Sequence, residues 1–469
     1  MIRGTIRRVH FVGIGGTGMC GLAEILRTLD YDVTGSDLNT STEAVTRLVR
    51  LGAQVQEGHD AANVIGADML VVSSAIREEN PELQEARRQG LPILKRGQML
   101  AEIMRLKYGV AVAGAHGKTT TTSLTGHVLT QAGLDPTVVV GGRLRSTSSN
   151  ARLGGGNIFV AEADESDGSF LQLLPTVAIV TNIDREHLDH YRNLDAIQAA
   201  FLRFVASVPF YGAAVLCGDD ERVREMIPRV NRPIVLYGTG EDCDVRGENL
   251  RCEGDHSRFQ VTIEGQDLGT FRVPLPGRHN VLNALSTIAV ALFLEVSPDT
   301  IRSALESFDG VGRRFEIRSE LGGVTHVDDY GHHPTEIRAV LRAAREAFGA
   351  RRLVVLFQPH RYSRTAALHD EFAEAFSDAD LVVLTEIYAA GEMPIQGVTG
   401  RLLQNRIMTG SQVEVVFAAE EADAVETVTE RLQPGDVLLT LGAGTVWMWG
   451  DAAMERYRAG QGHSQGSRV

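Results

Sequence analysis

The chain has 469 residues, 43% hydrophobic and 23% charged, with a formal net charge of −14. That length exceeds one ordinary core and predicts two to four domains. The negative balance argues against non-specific nucleic-acid binding, and no apolar run approaches a membrane span, so neither nucleic acid nor membrane is an expected partner.

Four scattered cysteines (Cys20, Cys217, Cys243, Cys252) form no C-x-x-C pair, which fits a reducing cytoplasm and gives no metal framework. Of 46 basic residues only Lys95, Lys107 and Lys118 are lysines, so a lysine kept inside a glycine loop stands out.

The N-terminus, MIRGTIRRVHFVGIGG, is basic and then apolar, as a signal peptide would be. Its apolar part is short and enters a glycine loop without a small-residue cleavage site, so it reads as a first strand. Across 1–107, RRVHFVGI, YDVTGSD, ADMLVVSSA and LPILKR read as strands, separated by helical stretches such as CGLAEILRTL and one opening at Asn80-Pro81. This is a βα repeat with a parallel sheet.

GIGGTG at 13–18 satisfies G-x-G-x-x-G, and Asp37 lies nineteen residues after Gly18. That is the dinucleotide fingerprint, and an NAD-dependent dehydrogenase is one reading. The underlying physics, a pyrophosphate at a helix N-terminus with a carboxylate near a ribose, fits a UDP-sugar equally well.

At Tyr108 the rhythm restarts with the strand YGVAVAG and then GAHGKTTTT at 114–122. Backbone N–H groups of such a loop converge on phosphate oxygens, the lysine (Lys118) reaches the β/γ-phosphates, and a hydroxyl of Thr119 or Thr120 can ligate Mg²⁺. The usual consensus asks for glycine where this chain has Val112, so Gly114 makes the first turn. NIFVAEAD and TVAIVTNID supply further strands; the first ends at Glu162, with Asp164, Glu165 and Asp167 following as metal-ligand candidates. TNIDREHLDHY (181–191) adds Asp184, His187, Asp189 and His190, with His187 either a second-metal ligand or a surface or capping histidine.

Residues 232–276 alternate and are punctuated by glycine, which predicts an antiparallel edge on the same domain. NVLNALSTIAVALFLEV reads as a buried helix. After GVGRRFE (312–316) a third βα series begins, with RRLVVLFQ, DLVVLTE, QVEVVF and DVLLTLG as strands. The last dozen residues are expected to be disordered.

Taken together, nine segments in fixed order resemble the Mur ligase family: HFVGIGGTGMCGLAEIL, GSD, GAHGKTTTT, EADESDGSF, TNIDREHLDHY, GRHNVLNA, GVGRRFE, DDYGHHPTEI and QPHRYSRT. The resemblance covers the chain to about residue 450. It implies an α/β protein of three domains: a Rossmann-like UDP-substrate domain (1–107), a central P-loop ATPase-type domain with a mainly parallel sheet and a small antiparallel part (108–313), and a Rossmann-like amino-acid domain (314–469).

The activity it implies is ATP-dependent amide formation between UDP-N-acetylmuramic acid and L-alanine in cytoplasmic peptidoglycan precursor synthesis. An acyl phosphate would be the intermediate, Mg²⁺ the cofactor with Mn²⁺ as alternative, and the enzyme a monomer or weak homodimer.

Residue by residue, the resemblance puts ATP on Gly114, Ala115, His116, Gly117, Lys118, Thr119, Thr120, Asn280, Arg314 and Asp329. Metal falls to Thr119, Glu162 and His187, and the UDP substrate to Gly15, Gly16, Thr17, Gly18, Ser36, Asp37 and Ser73. The amino acid falls to Tyr330, His332, Arg361 and Arg364, and a guanidinium fork suits a small zwitterion's carboxylate. Surface pairing for the arginines and helix capping for His332 and His333 are the plainer alternatives. Lys118, Glu162, His187, Arg314 and His332 form the implied catalytic set, with His187 and His332 both open as acceptors of the amine proton. Members of the family that hold a second metal on a carbamylated lysine differ from this chain, which has no lysine after Lys118. A sibling ligase adding a preformed tripeptide shares most of these motifs, and a non-catalytic nucleotide-binding module would bind without turnover.

Overall fold

A computed structural model describes residues 6–73, 75–144, 149–186 and 191–465. The chain divides into two compact units, 1–248 with 261–269 and 282–309, and 249–260 with 270–281 and 310–469.

The first unit opens with β1 (Arg8–Val12), α1 (Thr17–Thr28), β2 (Asp32–Asp37), α2 (Glu43–Arg50), β3 (Gln54–Glu57), β4 (Met69–Val72), α3 (Pro81–Gln89), β5 (Ile93–Lys95) and α4 (Arg96–Met104). The five strands are parallel in the order β3-β2-β1-β4-β5. The order reverses at β1, so its glycine loop opens at the switch point where α/β sheets bind ligands. Asn80 caps α3 as expected, its side-chain oxygen accepting from the Glu82 and Leu83 amides, with Pro81 in the first turn. The edge strand β3, QVQE, is largely exposed and polar, so it carries no apolar alternation to betray it.

The next elements are β6 (Tyr108–Ala113), α5 (Lys118–Gln131), β7 (Thr137–Leu144), β8 (Ser149–Arg152), β9 (Ile158–Glu162), β10 (Val177–Val180), α6 (Leu194–Ala206), β11 (Ala213–Cys217), α7 (Glu221–Met226), β12 (Ile234–Gly238), β13 (Val245–Glu253), β14 (His256–Ile263), β15 (Gln266–Val273), α8 (Arg278–Phe293) and α9 (Pro298–Glu306). Their sheet order is β15-β14-β13-β12-β11-β10-β6-β9-β7-β8. β6 lies between β10 and β9, again with a glycine loop at its end. Lys107 donates to the Thr137 hydroxyl and to the Gly154 and Gly156 carbonyls, fixing the turn that leads into β9.

The expected antiparallel edge over 232–276 needs correction at its start. β12 pairs parallel with β11, and β13 begins parallel with β12. IVLYG is one continuous apolar run reached through α7, the pattern of a βαβ strand; in/out alternation starts only at 245. β13, β14 and β15 then follow through two-residue turns, the second with positive φ at Glu264 and Gly265 as a type I′ hairpin requires.

The second unit carries β16 (Glu316–Leu321), β17 (Val324–Asp329), α10 (Pro334–Phe348), β18 (Leu353–Phe357), α11 (Tyr362–Glu374), β19 (Leu381–Leu384), α12 (Gly400–Gly410), β20 (Glu414–Phe417), α13 (Glu421–Arg431), β21 (Val437–Leu441) and α14 (Val446–Gln465). The order is β16-β17-β21-β18-β19-β20, parallel except for β16. β21 inserts between β17 and β18, which sets the C-terminal ends of β17, β21, β18 and β19 side by side. The tail expected to be disordered instead continues α14 to Gln465, where no proline interrupts the run; 466–469 lie outside the described residues.

Candidate active site

The loop between β6 and α5 is built on two glycines in conformations other residues avoid, Gly114 at φ +137° and Gly117 at φ +81°. A Cβ on Gly114 would lie 2.0 Å from the Thr181 hydroxyl oxygen, and one on Gly117 would lie 2.6 Å from Asn283 Oδ1. The segment after β10 clamps the loop: the His116 amide donates to Asn182 Oδ1 (2.8 Å), and Thr181 Oγ1 and Asn182 Nδ2 both donate to the His116 carbonyl. The His116 ring meets Asp184 at 3.0 Å.

The Lys118 side chain is 13% exposed, and its ammonium donates to the Gly114 and Ala115 carbonyls and to Glu165 Oε1 at 2.9 Å. Burial works against the charge, but Glu165, Asp164, Glu162 and Glu186 together raise its pKa above the usual lysine value. Thr119 donates to Glu162 Oε2 at 3.0 Å, and the same oxygen accepts from the Gly141 amide. Thr120 is buried and does not reach that carboxylate, so the two threonines left open by the sequence differ in what they face. An oxygen pair of hydroxyl and carboxylate is the hard-donor set that Mg²⁺ favours. His187 lies outside the described residues, as do Asp189 and His190.

Around the first glycine loop the expected UDP-binding residues divide. Thr17 and Gly18 open α1, Ser73 packs beside Gly13, and Gly15 and Gly16 form the turn. The Ser36 side chain is fully buried and its hydroxyl donates to Glu82 Oε2 at 2.6 Å, which removes it from the loop surface. Asp37 Oδ2 accepts from the Gly15 amide at 2.8 Å, so the carboxylate expected near a ribose also braces the loop.

In the second unit, Asp329 at the end of β17 accepts from the Phe315 and Gly331 amides (2.8 and 2.7 Å). Burial raises its pKa to about 6, against an opposing pull from Arg314. Of the paired arginines, Arg313 is committed to structure, donating to Asp328 and to the carbonyls of Gly442 and Gly444. Arg314 meets only Glu336, at 4.0 Å, among ionic partners in the described residues, and its guanidinium lies 5.2 Å from the Tyr330 ring centre.

His333 caps α10 with Glu336 completing the capping box, whereas His332 packs edge-on against both Tyr330 and His360. His332 Nδ1 lies 3.0 Å from the Tyr330 carbonyl, which can only accept, so Nδ1 carries a proton in that contact. Arg361 holds φ +71°, a strained conformation for a non-glycine residue, and its Nε is buried with no hydrogen-bond partner among the described residues. Arg364 donates to the His360 carbonyl. Burial, then His332, Arg364 and Arg361, hold the His360 pKa down at about 3. Tyr330, His332, Arg361 and Arg364 thus gather, with His360, at the strand ends.

Comparison with known proteins decides the family. Three domain models match in succession: "Mur ligase family, catalytic domain" over 8–108, "Mur ligase middle domain" over 112–291 and "Mur ligase, glutamate ligase domain" over 313–444. The UDP-N-acetylmuramate–L-alanine ligase of Solibacter usitatus is 53% identical over 453 residues, covering 96% of each chain. That of Sorangium cellulosum is 54% identical over 448 residues, covering 95% of each. The chain belongs to the Mur ligase family.

Among solved structures, the UDP-N-acetylmuramate-alanine ligase of Thermotoga maritima superposes on this Mur ligase with a TM-score of 0.79 at 31% identity, covering 97% of this chain and 99% of its own. A murein peptide ligase from Psychrobacter arcticus gives 0.68 at 26%, covering 96% and 99%.

Sequence reasoning left several residues of this Mur ligase without a part. Asn182, Asn283 and His360 all lie inside the quoted motifs, while Glu165, expected as a metal-ligand candidate, instead holds the Lys118 ammonium. Only their long-range partners single them out: Asn283 accepts from Thr121 across 162 positions of sequence.

Proposed function

We propose that this chain is an ATP-dependent ligase that joins the carboxylate of UDP-N-acetylmuramic acid to the amine of L-alanine, releasing ADP and phosphate in peptidoglycan precursor synthesis. The observation that carries this reading is near-complete coverage of relatives of that name at more than 50% identity, with every motif in place. In domain terms we assign 1–107 to the UDP substrate, 108–313 to ATP and 314–469 to the amino acid. The protein works in the cytoplasm as a monomer or weak homodimer.

The chemistry follows from the residues. The muramyl carboxylate attacks the γ-phosphate of ATP, and the alanine amine then displaces phosphate from the acyl phosphate. Lys118, held charged by its carboxylate neighbours, provides the ammonium that offsets charge on the phosphates. Mg²⁺, or Mn²⁺ in its place, bound by the Thr119 hydroxyl and the Glu162 carboxylate would supply further charge neutralisation. Asn280, Arg314 and Asp329 are proposed for the nucleotide. Arg361 and Arg364 bind the amino-acid carboxylate, and His332 Nε2 takes a proton from its ammonium.

The test is ADP release with each substrate omitted in turn. Release should require UDP-N-acetylmuramic acid and L-alanine together. Release supported by a tripeptide but not by L-alanine would replace this reading with that of a recycling ligase.

A further inference from the structure

The first glycine loop spends its own amides. Those of Gly13 and Ile14 donate to the Ser36 carbonyl, that of Gly15 to Asp37 Oδ2 and that of Gly16 to the Gly13 carbonyl. Residues 13–16 therefore present no free N–H to a pyrophosphate, leaving only the amides of Thr17 and Gly18. A doubly charged group held at such a turn needs its counter-charge from a side chain.

One side chain is placed to give it. Arg96, the first residue of α4, lays its side chain across Gly18: a Cβ there would stand 2.7 Å from Arg96 Cδ and 3.1 Å from Nη1. The final glycine of the motif is thus the space that the arginine crosses. The guanidinium carries five N–H donors, yet among the described residues its only ionic neighbour is Asp164, with Nη2 4.0 Å from Oδ2. That is beyond hydrogen-bond length. Asp164 also feels Lys118, so Arg96 stands between the UDP loop and the phosphate loop within one compact unit.

We propose that Arg96 binds the pyrophosphate of the UDP-linked substrate at the first glycine loop. The proposal rests on the reading above that this loop takes a UDP-linked ligand. A guanidinium fork matches two phosphate oxygens, and lying flat along Gly18 it arrives already oriented.

Calorimetric binding of UDP, UDP-N-acetylmuramic acid and ATP to the full-length chain tests it. Arg96→Ala should weaken both UDP ligands by at least ~10-fold and leave ATP affinity and the thermal midpoint nearly unchanged. Arg96→Lys should recover part of the loss, since it restores charge without the fork. Gly18→Ala, which keeps the arginine but pushes it aside, should weaken the same two ligands.

Unchanged UDP affinity in a folded Arg96→Ala chain overturns the proposal. So does a loss confined to UDP-N-acetylmuramic acid, which would move the contact to the muramyl carboxylate. A wild-type chain that binds UDP but not UDP-N-acetylmuramic acid would sink the functional reading while the UDP arm still judges Arg96. Binding of neither would remove both.

Discussion

The Lys118 ammonium lies 2.9 Å from Glu165 Oε1, three residues beyond the carboxylate that Thr119 faces. The phosphate loop thus rests on an acidic segment that seats its cation with one residue and a hydroxyl with another.

Lys118→Ala should lower turnover at least ~100-fold, the scale for losing one charge-stabilising donor. It also takes the ammonium away from Glu165, whose side chain is 3% exposed, and should cost about 3 kcal/mol of unfolding free energy. Adding Glu165→Gln should restore most of that stability and none of the turnover. Denaturant titration and ADP release on the single and double variants separate the two effects; turnover regained in the double variant would contradict the role given to Lys118.

Glu162→Gln should raise the Mg²⁺ concentration giving half-maximal turnover by ~10-fold or more, and Thr119→Val should act in the same direction. Thr120→Val should not, because it is Thr119 and not Thr120 whose hydroxyl is hydrogen-bonded to that carboxylate. A metal titration with equal shifts for both threonines would dismiss the pairing.

At Arg361 the positive φ supplies its own control. Arg361→Ala and Arg361→Gly both lose the guanidinium, and each should raise KM for L-alanine by ~10-fold or more. Only glycine relaxes at φ +71°, so Arg361→Gly should be more stable than Arg361→Ala by about 1–2 kcal/mol. Equal melting points would mean that the backbone there is unstrained.

Asp329 and His279 predict opposite pH slopes. Burial holds the His279 pKa at about 4, with Arg314 adding to the effect. The folded state therefore takes up fewer protons than the unfolded chain, and this contribution to stability, complete above pH ~6.5, is lost as pH falls towards 4. Asp329, raised to about 6, works the other way: its burial cost, felt in full above pH 6, disappears as pH falls towards ~4. The two largely cancel in the wild type. Asp329→Asn should expose a loss of roughly 3 kcal/mol on acidification across that window, and His279→Gln should leave a gain. Parallel pH profiles for the two variants would refute this account.

Legibility tracked range. Strands such as VVLF and VLLTL and the two glycine loops could be read because their signal is local, in an apolar run or in residues adjacent in sequence. Polar edge strands such as QVQE, and the β16–β17 hairpin, lack that signal. Side-chain roles faded with distance. The sequence put Asp37 at ribose spacing, but it did not show that its carboxylate would brace the Gly15 amide; nor did it show Ser36 buried on Glu82. From GVGRRFE it singled out Arg314 and gave no part to Arg313, whose role as a clamp on Asp328 and the Gly442 carbonyl depends on partners far along the chain.

The scarcity of lysine has a practical outcome. Lys107 is engaged by a hydroxyl and two carbonyls and Lys118 is held charged among carboxylates, so the exposed Lys95 is the lysine of the described residues that an amine-selective reagent should find first. Because an ammonium must shed its proton before it can be acylated, label on the peptide that carries Lys118 should lag behind label on the one that carries Lys95, and the ratio of the two in proteolytic mass mapping becomes a gauge of that charge lock.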